Sequence, residues 1–227
     1  MGLDIVLITL TILVFYFAGI LQSKINIPIF NPVLITIIIS ICIISVLDIT
    51  YNEYKDNVKY IEYLLKPAIV SLGVPLYLSI KSIKRQLIPI IISQITGCII
   101  GIGSVIVLAS IFELNREIII SLSPKSVTTP IAIEISEIIG GNASITAAVV
   151  VCVGIFGAVF GKYILNICKI KSDYAMGLAI GTATHAVGTS AAIQWSRRCG
   201  AYSGLGLIIN GILTAILTPF IIKWFGL

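Results

Sequence analysis

SLSPKSVTTPIAIE, residues 121–134, sets two prolines, a lysine, a glutamate and the hydroxyls of Ser121, Ser123, Ser126, Thr128 and Thr129 among long runs of Ile and Val. Proline removes a backbone donor and clashes with the preceding helical turn. In hydrocarbon every unpaired backbone group costs several kcal/mol, at about the scale of a lost hydrogen bond or more. Pro124 and Pro130 therefore cannot stand in a regular helix that faces lipid. The backbone there must open, and it must open toward protein or water.

The rest of the chain says that lipid is the solvent. Of 227 residues, 58% are hydrophobic and 11% charged, with a mean hydropathy of +1.10. A soluble domain carries about 25% charged residues, so too few polar groups are present here to cover a soluble body. A membrane helix needs about 20 mostly apolar residues. Residues 3–21, 29–47, 87–112, 143–168 and 205–225 meet that, and 60–80, 118–139 and 174–195 are apolar but interrupted by Gly, Pro or Thr. The expectation is an all-α integral membrane protein of about eight hydrophobic segments, some broken or re-entrant, in one domain over residues 1–227. Residues 1–47 form a two-helix N-terminal unit and 60–227 the core, with the mixed-charge stretch 48–59 read as a loop. Asp4 and the absence of Lys or Arg before the first apolar run argue for a membrane helix there rather than a secretory signal.

The net charge is +5, and basic residues cluster in short loops: Lys81, Lys84 and Arg85; Lys169 and Lys171; Arg197 and Arg198. This pattern sets topology and meets anionic lipid headgroups; no soluble basic face suggests nucleic acid. Lys81–Arg85 and Lys169–Lys171 fall on one side only if 118–139 enters and returns without crossing. The five cysteines, Cys42, Cys98, Cys152, Cys168 and Cys199, show no CxxC or Cys/His spacing and read as small buried hydrophobes. No metal site, cofactor motif or nucleophile–base pair is apparent, so an enzyme is not expected.

Two internal matches stand out. KPAIVSLGVP (66–75) and SPKSVTTP (123–130) are both proline-bounded, and VTTPIAIE (127–134) aligns with VGTSAAIQ (187–194) at an offset of 60 residues. Together they suggest an internal repeat. Interrupted segments in corresponding positions are the best sequence pointer to a transporter site, and opened helix ends with Lys125 suit a small carboxylate. The second such stretch, GLAIGTATHAVGTSAAIQ (177–194), holds Thr182, Thr184, His185, Gly188, Thr189 and Ser190. Glu134, one turn beyond Pro130, and His185, the single histidine, are the titratable groups placed to bind a coupling proton or cation.

At SPKSVTTPIAIEIS (123–136) and MGLAIGTATHAVGTSAAIQ (176–194) the chain resembles the LrgB/CidB family of bacterial membrane proteins. LLKPAIVSLGVPLY (64–77) and GAYSGLGLIINGILTAILTPF (200–220) extend the likeness. The resemblance implies a multi-pass protein of the bacterial cytoplasmic membrane, antiholin-like, acting with a small holin-like partner of the LrgA/CidA type in control of murein hydrolase activity and lysis. A related plastid protein carries glycolate and glycerate, and some bacterial pairs are linked to pyruvate uptake. The grouping is with cation/proton antiporter and bile-acid symporter folds. Carried onto this chain, the family's motif positions are Pro124, Lys125, Ser126, Thr128, Thr129, Pro130, Glu134, Thr184, His185, Gly188 and Thr189. Gln194 stands where an acid is more usual. The functional expectation is a carrier of small 2-oxo or 2-hydroxy monocarboxylates, with the carboxylate near Lys125, Thr128, Thr129 and the 182–190 hydroxyls. The alternative is a regulator of the holin-like partner. A homodimer is compatible with either.

Overall fold

A computed structural model describes residues 2–25, 32–71, 74, 77 and 80–227. Among the described residues every regular element is helical. The chain divides into two compact units, Met1–Gly73 and Val74–Leu227.

In the first unit α1 (Gly2–Ile25) and α2 (Pro32–Val46) are almost wholly apolar. α3 (Tyr51–Ser71) is amphipathic and starts within the stretch read above as a loop. The reason is a capping box. Glu53 accepts from the backbone N–H of Thr50 at 3.0 Å, and the Glu53 N–H donates to the Thr50 hydroxyl at 3.4 Å. The same bond from Thr50 holds the exposed Glu53 carboxyl below its usual range. The Thr11 and Tyr54 hydroxyls, 3.3 Å apart, join α1 to α3. The 66–75 match of the proposed repeat lies mostly outside the residues whose side chains are described.

The second unit holds α4 (Ile80–Arg85), α5 (Leu87–Ile111), α6 (Arg116–Leu122), α7 (Thr129–Ile138), α8 (Ala143–Ile167), α9 (Asp173–Trp195) and α10 (Arg197–Trp224). α1, α5, α8 and α10 are long and apolar enough to cross a membrane. α6, α7 and α9 do something else.

Between α6 and α7 the chain opens at residues 123–128. Three successive turns (Ser123 N–H to Ile120 O, Lys125 N–H to Leu122 O, Val127 N–H to Pro124 O) lead into an extended Thr128. α7 then runs back. At its far end the backbone N–H of Asn142 donates to Ser121 Oγ at 2.7 Å, and Asn142 Nδ2 donates to Glu117 Oε1 at 3.2 Å. Glu117 lies in the first turn of α6 and Asn142 caps α8. The segment therefore leaves by the end at which it entered, as a re-entrant hairpin.

α9 is a second hairpin. His185 adopts φ 46°, ψ −141° and divides it in two. Ser196, just past its last residue, donates to Asp173 Oδ2, at its first, over 2.7 Å. A straight helix of that length would separate them by about 35 Å. Tyr174 packs edge-on against Tyr202, 4.7 Å between centroids, and Thr189 meets Ser203 at 2.9 Å. Both arms of α9 thus lie against the first half of α10. Residues 87–138 and 143–195 share one order: a 25-residue helix, then a broken segment. The two hairpins enter from opposite ends of the unit.

These returns gather charge. The Ile90–Tyr202–Leu205 cluster, with Tyr174 packed on it, fixes the start of α5 beside the starts of α9 and α10. The Leu165–Met176–Cys199 cluster adds the end of α8. Lys81, Lys84, Arg85, Lys169, Lys171, Arg197 and Arg198 all follow to that end. The opposite end, closed by Ile106, Ile119, Ile120 and Ile222, carries Glu113, Glu117 and Glu137 beside Arg116 and Lys223. The positive-inside rule marks the basic end as cytoplasmic.

In a chain whose five cysteines are replaced, single cysteines put at Lys84, Lys171 and Arg198 are expected to react with a membrane-impermeant maleimide from one side. Those at Glu113 and Glu137 are expected to react from the other. If 116–138 crossed, Lys171 would label opposite Lys84; if α9 crossed, Arg198 would label opposite Lys171.

Candidate functional site

The two hairpin tips meet on Asn210, in the middle of α10. Asn210 is 2% exposed. Its Nδ2 donates to Ser126 O, in the first tip, at 3.3 Å and to Thr182 O, just before the second, at 3.0 Å. In a regular helix Thr182 O would accept from the N–H four residues on. The turn at His185 moves that donor away, and Asn210 replaces it. One side-chain amide thus pairs backbone from both breaks, where an unpaired carbonyl would be costly.

The second tip is anchored to α8. His185, 3% exposed, places Nε2 2.8 Å from Val150 O. A carbonyl only accepts, so the ring proton sits on Nε2. Thr189 Oγ1 donates to His185 O at 2.8 Å. Glycines let α8 come this close. A Cβ at Gly154 would lie 2.7 Å from His185 Cε1, and one at Gly157 would collide with Thr184. Thr184 itself donates to Ile180 O.

A cavity of about 630 Å³ runs from the basic end to the first tip. Gln86, Ser172 and Tyr174 line its outer part; Gln94, Gly97, Lys125, Ser126 and Thr182 line its inner part. Lys125 is half-buried, and among the described residues its ammonium makes one hydrogen bond, 3.2 Å to Ser126 Oγ, and no ion pair. The Thr182 hydroxyl lies 2.7 Å from both Gln94 Oε1 and Leu178 O; with one proton it donates to one at a time. A second, apolar cavity of about 540 Å³ flanks Lys125 on its other side, walled by Phe156, Ile164, Ile180 and Thr184. Among the described residues no three His, Cys, Asp or Glu side chains gather as metal ligands.

The residues singled out from sequence thus fall into groups. Lys125, Ser126 and Thr182 share the main cavity. Pro124 and Thr128 are buried in the tip, Thr129 is half-buried and Pro130 is exposed in the first turn of α7. Thr184 and Gly188 pack together; Thr189 is buried on Ser203; Ser190 is exposed and bonds back to Val187 O. Glu134 is exposed on α7, one turn beyond Pro130. Gln94 and Asn210 were missed. Each is a lone amide inside an otherwise apolar helix, which is itself a signal of an intramembrane role.

Comparison with known proteins fits this architecture. The profile of the LrgB-like family matches residues 11–224. The chain belongs to the LrgB-like family. A Staphylococcus epidermidis relative, "Holin-like protein CidB", is 33% identical over 221 residues, covering 97% of this chain and 96% of that protein. The Staphylococcus aureus protein of the same name is 31% identical over the same shares. An uncharacterized Haemophilus influenzae protein is 33% identical over 214 residues, 94% of this chain and 93% of its own. No solved structure matches. Family membership and the four long apolar helices make this a multi-pass bacterial membrane protein.

The glycine contacts give a direct test of the hairpin packing. Gly157→Ala is expected to destabilise by about 1–3 kcal/mol, the usual cost of overpacking, seen as a lower Tm in detergent. Gly103→Ala, where a Cβ meets nothing within 4 Å, is expected to be neutral or to stabilise by up to about 1 kcal/mol through helix propensity.

Proposed function

We propose that this chain is a holin-like membrane component whose central cavity binds a small organic anion. Two readings differ in what the cavity serves. The names of the Staphylococcus relatives support the first, a protein that acts with a small holin-like partner of the LrgA/CidA type in murein hydrolase regulation. The geometry supports the second, carriage of a small monocarboxylate such as pyruvate or glycolate.

One observation carries the second reading. Lys125 sits halfway through the bundle, at the tip of a re-entrant hairpin, lining a cavity of small-molecule size with no carboxylate paired to it among the described residues. A lone cation at that depth is costly, and a bound carboxylate offsets the cost. The basic end raises the local concentration of anions at the cavity mouth. Ser126, Thr182 and Gln94 supply donors for a carboxylate or a 2-hydroxyl. Two broken segments that meet midway are the parts that alternating access moves. Of the proposed coupling groups, His185 is held within the second tip, whereas Glu134 is exposed, so burial favours His185.

The test is uptake of labelled pyruvate and glycolate into proteoliposomes, with the chain alone and with a holin-like partner. Losing a charge-assisted contact costs about 1.5–3 kcal/mol, or roughly ten- to a hundredfold. Lys125→Gln is expected to cut uptake by that factor, and Lys171→Gln, on the surface, by less than about twofold. Undiminished uptake in Lys125→Gln would remove Lys125 from the site. No uptake in either arrangement would leave the regulatory reading alone.

A further inference from the structure

Behind the main cavity lies a much smaller one, about 10 Å³. That is roughly the space of a single water-sized particle. Ser123, Ser126, Thr182, Asn210 and Thr214 supply its polar wall, and Gly97 and Gly101 bring α5 close. Asn210 Oδ1 is buried and has no hydrogen-bond partner among the described residues. Turning the amide over does not help. Nδ2 is held by two carbonyls, and an oxygen in its place would face both of them with no proton between.

We infer that this small cavity is a site for one sodium-sized monovalent cation. Its polar atoms are mostly hard oxygen, the Asn210 amide carbonyl and the hydroxyls of Ser123, Ser126, Thr182 and Thr214, and the one sulfur on the wall, Cys98 Sγ, lies 3.5 Å from Thr214 Oγ1. Such donors suit hard cations. No carboxylate stands among them, which fits a single positive charge rather than a divalent ion. The orphaned Oδ1 gains the partner it lacks. The volume favours sodium over the larger potassium. The last turn of α6 and the last turn of the first arm of α9 both end at this cavity, and helix C-termini carry partial negative charge.

The position adds a consequence. Gly97, Gly101, Ser126 and Thr182 line both this cavity and the main one. A cation in the small site holds Ser126 and Thr182 in place, and those residues form the wall that a carboxylate meets. Cation and anion therefore bind cooperatively and reciprocally. This coupling rests on the anion reading above; the cation site itself does not.

The experiment is binding of radioactive sodium to the purified full chain in lipid nanodiscs, first with no carboxylate present. Saturable binding is expected, displaced by unlabelled sodium at least tenfold more effectively than by potassium. Thr214→Val, which keeps shape and removes one oxygen, is expected to weaken it tenfold or more, and Thr214→Ser to retain it. Should Thr214→Val fold poorly, the wild-type chain alone decides. Its Tm is expected to rise saturably when sodium chloride replaces choline chloride at constant ionic strength. Absence of saturable binding, or no preference over potassium, overturns the inference and leaves a trapped water as the occupant. Sodium binding without any carboxylate uptake upholds the site and sinks the carriage reading. Carboxylate uptake with no sodium binding does the reverse.

Discussion

Asn210 donates both protons of one side-chain amide to carbonyls that two broken helices have set free. Inside a bilayer, backbone without partners is not tolerated. A chain that opens two helices at membrane depth must therefore supply donors from elsewhere. Here the supply is concentrated: Asn210 for both tips, Thr189 for the second, and the 121–146 hydroxyl network for the base of the first. With these bonds made, 123–128 and 185 can keep non-helical backbone without facing lipid. The opened tips then leave polar groups and one lysine around enclosed space.

The return of each hairpin to its own end has an electrostatic result. It places three basic clusters together at one end, beside the mouth of the main cavity, and leaves Glu113, Glu117 and Glu137 at the other. A crossing segment at either position would have scattered them. Fold and charge distribution therefore agree. The glycines of α8 belong to the same design, since Gly154 and Gly157 admit His185 and Thr184 of the second tip against the helix.

Much of this was legible in the residues. Pro124 and Pro130 mark the first break because proline cannot be paired in a helix, and the basic loops argued that 118–139 returns. The break at His185 carries no proline; it shows in sequence only as a run of Gly, Thr and Ser, which small-residue packing would equally produce. For that reason its return, and the siting of Arg197 and Arg198 beside Lys169 and Lys171, came only from structure. Glu134 looked suitable by depth, but which face of α7 it occupies depends on how the tip sets the helix phase. Asn210 and Gln94 were single letters in apolar runs. Their importance lies in what the breaks elsewhere leave unpaired, which no local pattern records. The start of α3 was readable after all, in Thr50 and Glu53, beneath a charge mixture that resembled a loop.

The most direct measurement is a disulfide between cysteines placed at Asp173 and Ser196, in a chain otherwise free of cysteine. Their side-chain oxygens are 2.7 Å apart across nearly the whole of α9. The hairpin account expects the pair to cross-link within one molecule on mild oxidation, as a mobility shift reversed by reductant. No cross-link, with both cysteines reactive from opposite sides of the membrane, would mean that α9 crosses and that the meeting of the two tips is wrong.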